Sequence, residues 1–596
     1  MDQEAYFTYV PLALPSQNLR LLTLLPVSNS SNGEINCELQ AAPSVAAVCH
    51  TYETISYVWG SRAYQVHILI NDKVFEVTAN VRKLLLRLRH LTESRILWID
   101  TICIDQCNTS EKEHHLTLMS KIYRYGSRNV VGLEHNGSDN NKQACDLAVE
   151  TMRRMREIEV PSILEVNPET EEMKAIDVLL ANPWFHMRLW VVQEAVLPRD
   201  HICIYGQGEF SLHELEDVSL RTHTAANWTN LRITLSKLFS PEATQGLRIL
   251  TNFWILHREY AWLHHTDEEP QPRDLAVLLQ TNLTREATDP HDHVYGLLGL
   301  LESQIAGQPL PSGLLPDYTI PLHVLYRSAT RVAINSRQDL HALRIVYHDT
   351  EGLLDLKGFP SWVARLDLMG SAIERPARPG FWHCAHFEFM SDKHAEQSPD
   401  PDVLTWQGTV LDEVTKTTAV MRDNMLHEKE TLLLSLDEID HLALEAASSA
   451  RSPLDTAYSL EECVAETLIG GECHRAAATR EDIRQGYKFR KALVSAKALD
   501  DLDGDALSYR LLLSVCRRKR FFITSSGRIG LGDPATQQGD MVAILYNCAW
   551  PLILRKLDTD SSYNFVGIAY VNGAMQGEAM KAHIEESRAD AVFHIH

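Results

Sequence analysis

The sequence lacks several features that would place a chain of 596 residues in a specialised class. Its 11 cysteines are scattered and odd in number, so they do not predict a disulfide framework. No run reaches the roughly 18 apolar residues of a membrane span. The first residues also lack the basic region and apolar core of a secretion signal. We therefore expect a reduced, cytoplasmic protein without a membrane span.

Basic side chains are scarce relative to acidic ones. The chain has 56 Lys and Arg residues and 79 Asp and Glu residues, which gives a net charge of −23. A general nucleic-acid or anionic-membrane binder needs a large cationic surface, so this charge argues against nucleic acid as a partner. It still allows a local basic pocket that binds a phosphate-bearing small molecule.

Common catalytic and metal-binding motifs are also missing. The sequence contains no G-x-x-x-x-G-K-[ST] phosphate loop and no G-x-S-x-G nucleophile elbow. Cys103, Cys107, His114 and His115 lie close in sequence, but they lack Cys-x-x-Cys spacing, and adjacent histidines on a helix diverge by about 100°. We expect neither a metal site nor a permanently bound cofactor.

The most informative segment that is present is LWIDTICIDQ, residues 97–106. Its apolar residues occupy both alternating positions, as is typical of a strand buried on both faces of a parallel sheet. Asp105 and Gln106 then fall at the carboxyl end of this strand, where open α/β sheets bind ligands. Asp100 lies inside the apolar run and must be paired, so we expect a structural hub with Arg188 as a candidate partner.

The periodicity predicts an α/β fold with a mainly parallel sheet, because strands alternate with helices along the chain. The predicted strands of this sheet are 54–59, 96–104, 129–133 and 201–205. A helix is predicted at 110–125, with Ser110 as its N-cap. Alternating apolar residues add two β-hairpins, at 19–39 and at 66–77 with Asn71 and Asp72 in the turn.

The chain divides into regions of different composition. We expect an α/β domain with β-hairpin additions over residues 1–210, a mainly helical region over 211–345 and a mixed α/β region over 346–519. In residues 520–596, short apolar runs are separated by glycines, which predicts a small β-barrel-like module.

Three motifs, in this order, resemble the heterokaryon-incompatibility (HET) domain of filamentous fungi. They are YETISYVWGS at 52–61, LWIDTICIDQ at 97–106 and the PWF and RLWVVQEA segments within 183–195. The resemblance extends from about Tyr9 to Glu578. This chain departs from the family pattern at three polar positions, Asp105, Lys112 and His115, where the family has Asn, Arg and Gln.

The resemblance implies a role in non-self recognition and programmed cell death. The HET domain is distantly similar to the flavodoxin-like Toll/interleukin-1 receptor (TIR) domain, whose NAD-cleaving members carry a glutamate in a W-x-x-x-E segment. Trp190 and Glu194 match that segment, which makes Glu194 the catalytic candidate and NAD the candidate substrate. A carboxylate stabilises the oxocarbenium-like state of such a cleavage. The alternative is that Glu194 pairs with Arg188 or Arg199 and holds its helix.

Further residues are candidates for contact with NAD. Trp59, Gly60 and Ser61 follow the first core strand, where an indole could stack on a ring and a glycine lets backbone approach phosphate. Asp105 and Gln106 could bind ribose, and Trp190 offers an aromatic surface beside Glu194. The alternatives are core packing for Trp59, a tight turn at Gly60 and helix capping by Asp105 and Gln106.

Two functions from different classes follow. The first is an enzyme, an NAD glycohydrolase that depletes the cell of NAD. The second is a non-catalytic interaction module that oligomerises and recruits a cell-death partner. Because TIR-like sites are often completed by a neighbouring subunit, we expect self-association through the HET domain. We also expect an incompatibility partner protein, which the sequence does not identify.

Overall fold

The computed structural model divides the chain into two compact units, one built mainly from residues up to 320 and one mainly from residues 321–596. It describes residues 6–14, 17–29, 34–60, 65–133, 142–159, 167–186, 188–225, 235, 238–260, 275–283, 285–304, 310–349, 358–368, 398–448, 458–473, 476–502, 504–558, 561–587 and 589–596. Within these ranges, no helix combines the length and hydropathy needed to cross a bilayer.

The first unit is built around one mixed sheet. Its strands are β1 Leu19–Leu24, β2 Asn36–Ala42, β3 Glu53–Tyr57, β4 Gln65–Ile70, β5 Lys73–Thr78, β6 Arg95–Trp98, β7 Asn129–Gly132, β8 His201–Tyr205 and β9 Gly208–Phe210. They lie in the order β5-β4-β2-β1-β6-β3-β7-β8-β9. The central strands β6, β3, β7 and β8 are parallel, whereas most of the flanking pairs are antiparallel. The expectation of a mainly parallel sheet therefore holds only for its centre.

Both predicted hairpins are confirmed. β1 pairs antiparallel with β2, and β4 pairs antiparallel with β5. Asn71 and Asp72 have positive φ angles of 51° and 63°, the conformation of the two-residue turn that matches the right-handed twist of paired strands.

The predicted strand at 96–104 is too long. β6 ends at Trp98, and α2, Asp100–Cys103, is a helical turn. The Asp100 carboxylate accepts a hydrogen bond from the backbone N–H of Thr101 at 2.8 Å, a local bond that competes with strand pairing. Ile102 and Cys103 are fully buried all the same. A short apolar run therefore predicts that a segment is buried, but it does not distinguish a strand from a helix.

Helices fill most of the region up to residue 304, and all of them lie in the first unit except the helix Leu275–Asn282, most of which belongs to the second unit. Their bounds are α1 Ala79–Leu88, α2 as above, α3 Thr109–Tyr125, α4 Lys142–Glu157, α5 Glu171–Leu180, α6 Pro183–His186, α7 Val191–Val196, α8 Leu212–Ala225, α9 Pro241–Tyr260, α10 Leu275–Asn282 and α11 Asp292–Gln304. The N-cap of α3 is Asn108, whose side chain accepts from the N–H of Glu111, and not Ser110 as predicted. α9 packs against α5, α6, α7 and α8.

The second unit contains a closed β-barrel. The strands of this unit are β10 Leu404–Thr417, β11 Glu472–Cys473, β12 Ala476–Ala477, β13 Arg520–Thr524, β14 Ile529–Gly532, β15 Met541–Leu545, β16 Leu552–Lys556, β17 Ser562–Ile568, β18 Tyr570–Val571 and β19 Ala591–Ile595. β11 and β12 form a separate two-stranded sheet. Strands β10, β15, β16, β17 and β19 form a ring, because β10 pairs with both β15 and β19. The expected β-rich module at the C-terminal end is present, and it takes β10 from residues before 520.

Helices accompany the barrel in the second unit. They are α12 Leu322–Arg337, α13 Lys429–Ala447, α14 Leu460–Leu468, α15 Arg480–Ser495, α16 Gly504–Leu512 and α17 Glu578–Glu585. A cluster of fully buried apolar side chains, among them Val414, Phe522, Val542, Ile553 and Val566, forms the core of the sheet.

Candidate functional site

A cavity of about 820 Å³ lies in the first unit at the carboxyl ends of β3 and β6. Segments that contain Trp59, Gln106, Arg188 and Asp292 line it, together with the start of α3. This volume falls within the range of small-molecule sites, and the carboxyl edge of parallel strands is the place where open α/β sheets bind ligands.

Asp100 organises one wall of this cavity. Its carboxylate accepts a hydrogen bond from the indole N–H of Trp59 at 3.1 Å. The same oxygen lies 3.7 Å from the guanidinium of Arg188, and that guanidinium stacks 4.5 Å from the centroid of the Trp59 ring. Burial raises the pKa of Asp100, and the positive charge of Arg188 opposes this effect. The predicted hub and its predicted partner are both confirmed.

Removal of the Asp100 carboxylate should destabilise the first unit. In Asp100→Ala, the N–H of Trp59, the N–H of Thr101 and the charge of Arg188 lose their partner, which we expect to cost about 1–3 kcal/mol. Asp100→Asn keeps an acceptor of the same size and should lose less. Chemical denaturation of the two variants checks this, and an unchanged midpoint for Asp100→Ala would show that the hub does not stabilise the fold.

Trp190 and Asp292 form a second polar contact at the cavity. The indole N–H of Trp190 donates to one carboxylate oxygen of Asp292 at 3.1 Å, and the hydroxyl of Tyr318 donates to the other at 2.5 Å. Burial raises the pKa of Asp292. Trp190 was a predicted site residue, whereas Asp292 and Tyr318 were missed. Asp292 lies in the run DPHDH, residues 289–293, whose pattern is typical only of the start of a helix.

A buried arginine holds the segment that carries Arg188. Arg285 is only 2% exposed and donates to the backbone carbonyl of Phe185 at 3.0 Å. Burial lowers the pKa of Arg285 to about 9. In addition, the N–H of Leu189 donates to the carbonyl of Glu286 at 3.0 Å. These bonds fix the backbone on both sides of Arg188, so its side chain reaches the cavity from a rigid support.

Glu194 lies behind the cavity wall. It is 2% exposed and is not among the residues that line the cavity. Its carboxylate accepts a hydrogen bond from the hydroxyl of Ser56, whose oxygen accepts from the indole N–H of Trp184 at 2.7 Å. Burial raises the pKa of Glu194 to about 7, although the charge of Arg188 and the bond from Ser56 lower it. Glu194 is therefore close to half-ionised at neutral pH.

The other predicted site residues fall in three groups. Trp59, Gly60, Gln106 and Trp190 line the cavity. Gln106 also donates to the backbone carbonyl of Asp100 at 2.9 Å, and Gly60 has a φ of 73°, as a tight turn requires. Asp105 instead accepts from the N–H of Cys107 in a local turn. Ser61 lies outside the described residues.

The cavity combines groups that suit one kind of ligand. Indole rings offer flat apolar faces for a heteroaromatic ring. A guanidinium matches the geometry of a phosphate, and carboxylates accept hydrogen bonds from sugar hydroxyls. Because Trp59, Arg188 and Asp100 are in mutual contact, all three kinds of group are present within one small volume.

Two segments of the chain match known protein families. Residues 52–194 match the family described as heterokaryon incompatibility protein (HET), and residues 468–590 match the Het-6 beta-barrel domain. The chain is also similar to heterokaryon incompatibility protein 6, OR allele, of Neurospora crassa. The two are 24% identical over 668 aligned positions, which cover 96% of each chain. No solved structure matches.

Proposed function

Because this chain is a HET-domain protein, we propose that it acts in heterokaryon incompatibility and that the cavity of its first unit binds and cleaves NAD. The name of its Neurospora relative supports the first part. The observation that carries the second part is the cavity itself, in which Trp59, Arg188 and Asp100 meet at the carboxyl ends of two parallel strands.

The order of the parallel strands supports a TIR-like fold for this unit. Numbered along the chain as 1 to 4, strands β3, β6, β7 and β8 lie in the order 2-1-3-4. This is the order of flavodoxin-like sheets, which bind nucleotides at the same edge. The W-x-x-x-E segment, Trp190 to Glu194, lies between β7 and β8 in the chain and reaches the cavity through Trp190.

The cavity fits NAD by chemistry and by size. We assign the pyrophosphate of NAD to the guanidinium of Arg188, one of its rings to the indole of Trp59 and its ribose hydroxyls to carboxylates of the wall. A volume of about 820 Å³ is near the upper end of the range for small-molecule sites, as a dinucleotide requires.

The reaction is hydrolysis of the bond between nicotinamide and ribose. Water adds to the ribose C1′ and loses one proton to solvent, and the bonding electron pair leaves with nicotinamide, which becomes neutral. The transition state has oxocarbenium character, so a nearby net negative charge stabilises it. The group formed by Asp100, Arg188 and Glu194 has a net charge of −1 when both carboxylates are ionised, and Glu194 supplies this charge from behind the wall.

The burial of Glu194 favours a second candidate function. Its carboxylate has no surface on the cavity and is bonded to Ser56, as a structural residue would be. In this case the unit is a non-catalytic module that self-associates and recruits a cell-death partner. Cell killing without loss of NAD would distinguish this function from the first.

Trp59 should contribute directly to ligand affinity. We expect Trp59→Ala to weaken binding of ADP-ribose, the cleavage product, by about tenfold, because base stacking on an aromatic ring is worth about 1–3 kcal/mol. The matched control, Trp59→Phe, keeps a smaller aromatic face and loses the N–H bonded to Asp100, so its affinity should fall less. Calorimetric titration checks both variants. Equal affinity of Trp59→Ala and the parent would remove Trp59 from the binding site.

A further inference from the structure

Three histidines and a glutamate converge in the first unit outside the cavity. His201 begins β8, His213 and Glu216 lie one turn apart on α8, and His257 lies near the end of α9. The ring centroids of the three histidines are 5.0 to 6.4 Å apart. None of the four residues lines the cavity, so this cluster has no part in the site proposed above.

The hydrogen bond of His257 defines what its other ring nitrogen can do. Nε2 lies 2.6 Å from the backbone carbonyl of Ala195, which only accepts, so the proton of the neutral ring must be on Nε2. Nδ1 then carries a lone pair, and it faces Oε1 of Glu216 at 2.7 Å. Neither atom has a hydrogen bond of ordinary geometry. Two acceptors at this distance repel each other, so either a second proton on the ring or a metal ion bound by both atoms must relieve the contact.

One further contact of the cluster is satisfied, whereas His201 has no hydrogen bond of ordinary geometry. The second carboxylate oxygen of Glu216 lies 2.8 Å from Nδ1 of His213. Both ring nitrogens of His201 are buried, and the contact of this ring with the backbone of Glu194 is not a hydrogen bond of ordinary geometry. A buried imidazole without a well-formed hydrogen bond is costly, and a missing ion is one explanation of such a group.

We propose that His213, Glu216 and His257, with His201 as the fourth ligand, bind one divalent transition-metal ion, with zinc as the first choice. One ligand atom from each of the first three residues lies within 4.8 Å of the others, so small side-chain shifts would bring them to the roughly 2.0–2.2 Å metal distances of zinc. The side chain of His213 is 56% exposed, which gives the ion a path of entry.

The ligand set defines the role of this ion. The three residues whose ligand atoms lie within 4.8 Å of one another leave one position of a tetrahedral ion open, and His201 would have to move to fill it. With four protein ligands the ion would be structural and not catalytic. It would tie β8, α8 and α9 together. Through the bond from His257 to the Ala195 carbonyl, it would also fix the end of α7, the helix that carries Glu194. An outer-shell hydrogen bond of this kind is usual for histidines that bind metal.

Metal analysis of the purified full chain tests the proposal. We expect about one zinc ion per chain after reconstitution with zinc and removal of excess metal. His257→Ala and Glu216→Gln should each lose most of this metal. The matched control is His115→Gln. His115 is another buried histidine, on α3, and its Nε2 has no hydrogen-bond partner. This variant should retain the zinc. Absence of zinc in the folded parent, or equal zinc in His257→Ala, would overturn the proposal.

A second measurement covers the case in which these variants fail to fold. Zinc is removed from the parent with a chelator and cobalt(II) is added, since tetrahedral cobalt gives intense visible absorption bands. We expect these bands at one equivalent, together with a rise in melting temperature by mass action. His201→Asn should alter the bands. No bands and no thermal shift would show that the cluster binds only protons, which contradicts the proposal.

Discussion

Replacement of Glu194 by Gln should lower NAD turnover by about 100-fold or more, with the protein still folded. Gln has the size of Glu and still accepts the hydrogen bond from Ser56, but it cannot carry charge. The group of Asp100 and Arg188 would then be neutral and could no longer stabilise an oxocarbenium ion. The kcat for nicotinamide release measures this effect, and an unchanged kcat would exclude a role for the charge of Glu194.

The pH dependence of kcat should also differ between the parent and Glu194→Gln. Because burial raises the pKa of Glu194 to about 7, the ionised form is gained as pH rises through 7. The kcat of the parent should therefore increase across this range and level off above it, whereas the residual activity of Glu194→Gln should not follow this titration. A parent profile that falls through pH 7 would contradict the assignment of the ionised form as the active one.

Protein stability separates this charge role from a structural one. The pKa of Glu194 is about 7 in the folded state, above its ordinary value of 4.5, so the folded state binds the proton more tightly than the unfolded state. Stability is thus lost as pH rises from about 4.5 to 7, by up to about 3 kcal/mol. Gln cannot ionise, so the stability of Glu194→Gln does not decrease in this way. The variant should be at least as stable as the parent at pH 8. A lower stability at both pH 5 and pH 8 would favour the structural role.

Replacement of Gly246 by Ala should destabilise the first unit by about 3 kcal/mol or more, which is a large fraction of a domain's stability. Gly246 lies on α9 where this helix crosses the end of α5, and a methyl group there would overlap the backbone carbonyl of Leu180. A backbone group cannot rotate away as a side chain can, so the two helices must separate.

Thermal unfolding measures the effect at Gly246. The matched control is Gln245→Ala, the neighbouring position on the same helix, which is not buried and should tolerate the change. A Gly246→Ala variant with the melting temperature of the parent would show that α5 and α9 do not pack as closely as described.

Local patterns in the sequence predict much of this fold, because hairpins and amphipathic helices depend on neighbouring residues. The hairpin turn at Asn71 and Asp72 is an example. The end of β6 was not predictable, because an apolar run reports burial and not whether the backbone continues as a strand. The crossing at Gly246 depends on Leu180, which is distant in sequence, and a single glycine within a helix carries no such information.

The candidate site was predictable where it depends on strand ends. Trp59 and Gly60 follow β3 and line the cavity. Gln106 lines it as well, although it follows the helical turn α2 and not the strand end that its prediction assumed. The position of Glu194 was not predictable, because it depends on where α7 begins. Trp190 is the N-cap of this helix and points to Asp292, whereas Glu194 lies within its first turn and points to Ser56. The four-residue spacing therefore did not place both side chains on the cavity.

The most direct test of the account is the fate of NAD in a solution of the purified full chain. Nicotinamide and ADP-ribose are quantified by chromatography over a range of protein concentrations that includes any assembled form. We predict equal amounts of both products from the parent, and about 100-fold less of each from Glu194→Gln. A folded parent that releases no nicotinamide above the blank at any of these concentrations would contradict it.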